Sequence, residues 1–469
     1  MSGISEKFQI QAVREELPSL LQMLVDDGRI PGAAVVVSTG GERVQVFAGQ
    51  ASIETQTSWS AGSRVPMTCL MKFYTSLAAI DLAQLGKLDL EAPIETYIEE
   101  FGIANQHRGV CVKHLLSHSS GWQGVDLSQG EVRWAYNWQK FMEYFYDAPQ
   151  LFSPGHVFSY DHSDHVILGE ILRRVTGRVC VDLIKETIFD PLSIVPLPYN
   201  DSSAVGDYSN DGNGKFRRLK LPLPAPIWDA SVPHALLTLS EIAEIGDALA
   251  TCSRLPLISP AVFEVCRAPY VELPARPVPA CVEQFPGAFS LACGLYGDDM
   301  IGHNASAFGQ TCAFRLIPSR GVTIVVAMNS WLPALRDQLV NCIRRCDFSK
   351  SAFDIVFGNR ISEAPLERVM GNFHFHDVSG TYFGRPFGEV CVEYSGDVLM
   401  VSSVARKMKL LSIERTSVNG VRLTHYSPHA VSFFPDPDSD LSALAVGVHA
   451  LKKVGSPAAP PLTENPVRW

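Results

Sequence analysis

The spacing of apolar residues changes its period once along the chain, near Ser349, and that change restricts the architecture. Before it, helical periods and short apolar runs alternate. From Gly380 onward only short alternating runs occur: Glu389 to Tyr394, Val398 to Ser403, Lys407 to Ile413, Val421 to His425, Ala430 to Phe434 and Ala443 to Val448. Side chains alternating with a period of two, with turn residues between the runs, predict a small antiparallel barrel or sandwich. The expected organisation is a catalytic-size domain over 1–350, a linker over 351–378 and a β-domain over 379–469. Its Pro-rich end after Val454 reads as a mobile tail. A chain of 469 residues has room for two or three domains, or one large and one small.

In the first part, Ser5 to Asp27 carries apolar residues at helical spacing and is closed by Gly28. Ala33 to Ser38 and Arg43 to Ala48 read as two strands around Thr39-Gly40-Gly41. Helices are expected over Cys69 to Leu85, Val112 to His118, His162 to Val175 and Leu239 to Ala250, and a hairpin joins Ala313 to Ile317 with Val322 to Asn329. Tyr199 to Pro233 and Leu255 to Gly287 are rich in loop-forming residues and read as long irregular segments over a binding cleft.

Composition narrows the function classes. Lys and Arg number 39 against 49 Asp and Glu, a formal charge of −10 without a basic run, so no footprint for nucleic acid or anionic lipid exists. No apolar stretch approaches the length of a membrane span. The first residues, MSGISEKFQIQAVREELPSLL, spread charges through an amphipathic pattern, unlike a signal peptide. The 11 cysteines are odd in number and scattered, with no CxxC pair. Free thiols in a reducing compartment, and a cytoplasmic location, are the expectation.

Cys69-Leu70-Met71-Lys72 opens the second predicted helix. Residues three apart share a helix face, so an amine stands beside a thiol at a helix N-terminus, two recognised ways of favouring a thiolate. Alone, the pattern also fits an inert core cysteine. The surrounding residues add to it. Leu82-Ala83-Gln84-Leu85-Gly86-Lys87-Leu88-Asp89-Leu90, Val112-Lys113-His114-Leu115-Leu116-Ser117-His118-Ser119-Ser120-Gly121, Pro154-Gly155-His156-Val157-Phe158-Ser159-Tyr160-Asp161-His162 and Gly302-His303-Asn304-Ala305-Ser306 follow in order. With Gly28 to Ala33, these segments resemble the serine β-lactamase-related family, which includes class C β-lactamases, DD-peptidases, esterases and acyltransferases.

The resemblance implies an α/β (α+β sandwich) fold: an antiparallel sheet flanked by helices, plus a mainly helical subdomain holding Tyr160. The C-terminal part is similar to the small lipocalin-like β-barrels appended to some family members. The implied catalytic residues are Cys69 in the serine position of Ser-x-x-Lys, Lys72 keeping the nucleophile deprotonated, Tyr160 as general acid and base, and His303 bonded to Tyr160 or to a substrate carboxylate or carbonyl. Backbone N–H groups of Cys69 and Ser306 are the implied oxyanion hole. His162, Asn304 and Ser306 are the expected substrate-binding residues. No cofactor is implied. A small-molecule acyl donor and acceptor are, with a carrier-protein thioester among the donors.

Three departures redirect the chemistry. Cysteine replaces serine at 69, histidine replaces asparagine at 162, and Ala305 stands where the third motif has glycine. The added methyl of Ala305 and the absence of lysine at 303 weigh against β-lactam hydrolysis. A thiol gives an acyl-thioester, which favours amine acceptors over water more than an ordinary ester does. The expected activity is an acyltransferase or amide- or ester-forming enzyme of specialised metabolism; an esterase or amidase, and a non-catalytic small-molecule binder, are the alternatives.

Other residues have simpler readings. His114 and His118 are expected to satisfy backbone groups near a helix end. Asp161, Asp164 and His165 read as a solvated helix start. His374 and His376 suggest a metal only weakly, for want of a third ligand.

Overall fold

The structure is a computed structural model. It describes residues 8–103, 109–123, 138–145, 148–199, 201–210, 215–219, 235–273 and 286–349 except 253, 298, 308 and 257, and from 363 to 453 the strands of the C-terminal sheet. Its first layer is a nine-stranded antiparallel sheet. In spatial order the strands are Thr57–Ser58, Glu42–Ser52, Gly32–Thr39, Val322–Met328, Gln310–Ile317, Ile301–Ala307, Gly294–Leu295, Ala288–Phe289 and Val271–Glu272.

The central strand shows why the sheet is covered on both faces. Gly32–Thr39 is apolar and buried almost throughout. Val35 and Val37 enter one core with Val13, Leu17 and Leu21 of helix Ile10–Asp26 and with Leu335 and Leu339 of helix Pro333–Arg345. Ala34 and Val36 enter the other core, with Leu70, Phe73 and Leu77 of helix Leu70–Gln84 and Ile242 and Ile245 of helix Leu239–Thr251. Each buried aliphatic side chain of this kind contributes about 1.5–3 kcal/mol. The expected sandwich is therefore present, with a helix–sheet–helix layering around an antiparallel sheet.

Leu70–Gln84 is the helix at the centre of that second core. Nearly every side chain from Leu70 to Ile80 is buried, including the polar Lys72, Thr75 and Ser76. A helix buried on every side lies inside a protein, and its few polar side chains are the exceptions to account for. It packs on strand Ile301–Ala307 and on helix His162–Thr176, bringing the first, second and third motifs together.

The C-terminal strands form a second nine-stranded antiparallel sheet, in the order Glu363–Pro365, Gly420–Tyr426, Met408–Ser417, Val398–Ser403, Gly388–Ser395, Gly380–Gly384, His449–Lys453, Ser442–Val446 and Val431–Pro435. Two expectations are corrected here. Among the described residues the sheet is open: Glu363–Pro365 and Val431–Pro435 are its unpaired ends and no closed barrel forms. The linker expected over 351–378 contains a strand, Glu363–Pro365, paired with Gly420–Arg422; three residues ending in proline carry too little alternation to be read as one. The rest of that linker, His374, His376 and the tail lie outside the described residues.

The stretch Leu255 to Gly287 is also less irregular than expected. It holds helix Pro260–Arg267, started by the Ser259 hydroxyl accepting from Val262 N, and strand Val271–Glu272.

Candidate active site

Cys69 caps helix Leu70–Gln84 and is half-buried, so its sulfur stands at the edge of the core rather than sealed within it. The preceding Thr68 has a left-handed φ of 34°, a costly conformation for a branched residue that re-aims the chain just before the thiol. One helical turn on, Lys72 is 1% exposed. Burial holds its ammonium below the usual lysine range, and the Cys69 side chain and the Asp161 carboxylate pull it back up. Its Nζ lies 3.0 Å from His162 Nδ1 and 5.0 Å from the centre of the Tyr160 ring.

Tyr160 brings a buried hydroxyl to the same place. This oxygen has no regular hydrogen-bond partner among the described residues; Cys69 is the side chain with which it interacts. Burial, reinforced by Cys69, raises its phenol well above the ordinary tyrosine range. The ring packs on Phe158, Val271, Leu273 and Phe289. Cys69, Lys72, Tyr160 and His162 therefore converge.

The 112–121 motif builds the support for Tyr160. His114 Nδ1 accepts the Cys111 N–H at 2.9 Å and closes the start of helix Val112–Leu116. The loop beyond it laces the Tyr160 segment down: Gly155 N donates to Ser119 O at 2.7 Å, Ser159 N to His118 O at 2.8 Å, and Leu151 and Phe152 N to Gly121 O at 2.7 and 2.9 Å. Gly121 has a φ of 79°, and a Cβ there would meet Phe152 O at 2.0 Å. Only glycine meets both demands. From the C-terminal sheet, buried Lys452 lies over the Phe152 ring at 5.2 Å, so the second sheet touches the segment leading to Tyr160.

The third motif divides by the alternation of its strand. His303 is buried on the Tyr160 side, with ring centroids 6.4 Å apart. The expected hydrogen bond from His303 to Tyr160 is not made: His303 Nδ1 donates to Asn304 O at 2.7 Å. Burial pushes its imidazole down to about 3, so the ring is neutral. Asn304 and Ser306, expected to bind substrate, carry their side chains to the opposite face. Asn304 Oδ1 accepts from buried Arg315 at 2.7 Å, and the Ser306 hydroxyl meets Thr311 Oγ1 at 3.0 Å and Arg336 at 3.3 Å. Side chains one residue apart on a strand cannot share a face. Ala305 is buried, in the same core as helix Leu70–Gln84. Pairing with Gly294–Leu295 covers only Ile301 and Gly302, so beyond Gly302 the strand has no neighbouring strand on that edge among the described residues.

Asp164 and His165 differ from the solvated helix start expected of them. Asp161 does cap helix His162–Thr176, accepting from Ser163 N at 2.8 Å. Asp164 and His165, however, are buried behind Tyr160, beside His118. The pattern of one helix does not disclose that its polar residues face a loop 46 positions earlier. Among the described residues no three His, Cys, Asp or Glu side chains are grouped as metal ligands would be.

Comparison with known proteins gives a family match over part of the chain and a fold. The model of the family described as Beta-lactamase matches residues 17–211, a span containing Cys69, Lys72, Tyr160 and His162. The chain is 24% identical over 323 residues to penicillin-binding protein 4 of Amycolatopsis lactamdurans, covering 64% of this chain and 81% of that protein. Its fold is similar to that of SurE, at 19% identity and a TM-score of 0.72 over 95% of this chain and all (100%) of SurE. SurE solved with D-Leu aligns at 17% identity with a TM-score of 0.66, over 95% and 100% of the two chains. EstCE1, described as a hydrolase with promiscuous acyltransferase activity, aligns at 16% identity and a TM-score of 0.58 over 72% of this chain and 99% of its own. The matched family is described as Beta-lactamase and EstCE1 as a hydrolase with acyltransferase activity; what this chain shares with the solved structures is the beta-lactamase-like fold.

Proposed function

From a beta-lactamase family match that spans the Cys-x-x-Lys and Tyr160 motifs, we propose that this chain is an acyl-enzyme catalyst with Cys69 as nucleophile. It takes an acyl group from an ester or thioester and delivers it to an amine or alcohol. The observation that carries the reading is the convergence of buried Lys72 and the Tyr160 hydroxyl on one half-buried sulfur.

The steps follow from what each group can do. Lys72, whose ammonium is destabilised by burial, accepts the Cys69 proton as the sulfur attacks the donor carbonyl. Negative charge develops on the carbonyl oxygen, beside the Cys69 N–H at the helix start and the unpaired edge of strand Ile301–Ala307. Tyr160 gives its proton to the departing oxygen or sulfur, the carbon–heteroatom bond breaks, and an acyl-thioester remains on Cys69. An acceptor then attacks the thioester, its proton passing to the Tyr160 oxygen, and the thiolate leaves and regains its proton from Lys72. Thioesters partition toward amines, so transfer is favoured over hydrolysis. A carrier-bound thioester as donor, a role in specialised metabolism and a reducing cytosol in which a thiol nucleophile persists belong to this reading. The D-Leu bound by SurE suggests an amino-acid amine as an acceptor to try.

The test is intact-protein mass spectrometry with a phenyl thioester. One acyl adduct on the wild-type chain, absent from Cys69→Ala, is the expected result; acylation that persists in Cys69→Ala overturns the nucleophile. Product analysis with and without D-leucine amide separates transfer from hydrolysis. Hydrolysis alone, even at high amine, supports the esterase reading that EstCE1 suggests.

A further inference from the structure

Behind Tyr160 lies a group of buried titratable side chains that the steps above do not use. Asp164 is 0% exposed, and His118 and His165 are 1% exposed. The His118 ring lies against the Tyr160 ring, centroids 4.4 Å apart, and stacks on His165 at 4.9 Å. His165 Nε2 reaches the Ser76 hydroxyl at 3.5 Å.

Two contacts fix where the protons sit. The Asp161 backbone N–H donates to His118 Nδ1 at 3.3 Å, which calls for a lone pair on that nitrogen and puts the ring hydrogen on Nε2, a buried atom with no partner among the described residues. Asp164 Oδ2 lies 3.3 Å from the same nitrogen. A carboxylate there would set lone pair against lone pair, and only a protonated acid makes the contact attractive. Both distances are long, as expected where two donors share one acceptor.

We propose that Asp164 is a positioning residue for Tyr160: a neutral carboxylic acid that donates its O–H to His118 Nδ1 and so fixes the imidazole lying against the Tyr160 ring. The charged and titratable groups around the pair agree. Lys72, His165 and His303 all disfavour a second cation at His118, whose imidazole burial already holds well below the usual range. Burial, with the Asp161 carboxylate next, raises the Asp164 carboxyl well above the usual range; hydrogen bonds from Ser120 and Trp122, and after them the charge of Lys72, act against this and do not reverse it.

The consequence is specific. Asn at 164 presents an N–H donor of the same size to His118 Nδ1, whereas Leu presents none. The activity arm rests on the proposed acyl transfer; a spectroscopic arm does not. Nitrogen-15 NMR of the full chain labelled at histidine is expected to show His118 unprotonated at Nδ1 and protonated at Nε2 from about pH 8 to about pH 6. Asp164→Asn is expected to keep Cys69 acylation by a phenyl thioester within about threefold of wild type, with the same pH profile, while Asp164→Leu loses at least about tenfold in the maximal rate with half-saturation unchanged. A protonated His118 Nδ1, or Asp164→Asn falling as far as Asp164→Leu, overturns the proposal. If Asp164→Leu does not fold, the Asn variant and the wild-type spectrum still decide. If wild type is never acylated, the function reading fails, and the spectrum alone tests the pair.

Discussion

Lys72 Nζ lies 3.0 Å from His162 Nδ1, and the two side chains come from helices 90 residues apart. An ammonium can only donate to that nitrogen, whereas a neutral amine can accept from it. In the proposed reaction, one imidazole that changes tautomer holds Lys72 in place before and after it takes the thiol proton. An asparagine amide, with a donor and an acceptor at one end, has the same capacity. His162→Asn is therefore expected to keep acylation within about tenfold of wild type, and His162→Leu to fall at least about a hundredfold. Single-turnover acylation rates for the two variants check this.

Activity and stability should separate at Lys72. Lys72→Met keeps the length of the side chain and removes a buried amine. Cys69 acylation is expected to drop about 10²–10⁴-fold, the usual worth of a positioned base. Stability is expected to hold or rise by about 1 kcal/mol, because an apolar replacement avoids the desolvation of a buried charge. Urea unfolding beside the acylation rate reads both.

The buried histidines predict weakness in acid. His114, His118, His165 and His303 are held below the ordinary histidine value by burial, His114 to about 4 and His303 to about 3. Near pH 5 the unfolded chain protonates these four and the folded chain does not. Asp81, Asp164 and Asp207 act oppositely, since burial raises all three, Asp207 to about 6. Set against four histidines, they leave the unfolded state richer by at least 4 − 3 = 1 proton. Stability accordingly falls as pH drops from the unfolded histidine value near 6.5 toward 4, by about 1.4 kcal/mol per pH unit or more at the steepest. Urea midpoints at several pH values between these limits should move down together with pH; a midpoint that rises on acidification contradicts the assignment.

Gly121 offers a test of the Tyr160 support that touches no reacting group. Ala at 121 meets an unfavourable φ and the Phe152 carbonyl at once. Gly121→Ala is expected to cost about 2–4 kcal/mol and to slow acylation as the loop holding Tyr160 moves. Thermal unfolding and acyl labelling on the same sample measure both.

Much of this molecule was legible before any coordinates. Helical spacing located Leu70–Gln84 and His162–Thr176, and runs of β-branched residues located the central strands. Helix Pro333–Arg345 escaped because its face is dressed with Arg336, Asp337, Gln338, Arg344 and Arg345, and two of those charges, Arg336 and Asp337, are buried against each other. Asn304 and Ser306 share a sequence motif with His303, yet a period of two sends them to the other side of the sheet. Asp164 and His165 could not be placed from their own helix: what buries them is a loop from a different part of the chain. Local pattern reports which face a residue is on, and not what lies across from it.

The lacing of the 118–121 loop to the Tyr160 segment has a temporal consequence. Cys69 and Lys72 leave the ribosome long before Tyr160 and His162, and strand Ile301–Ala307 emerges later still. Contacts so distant in sequence form late in folding. With Cys69 as the proposed nucleophile, a nascent chain carries it for most of its synthesis as a latent group, and the reactivity proposed for it arises only when the last of these pieces docks.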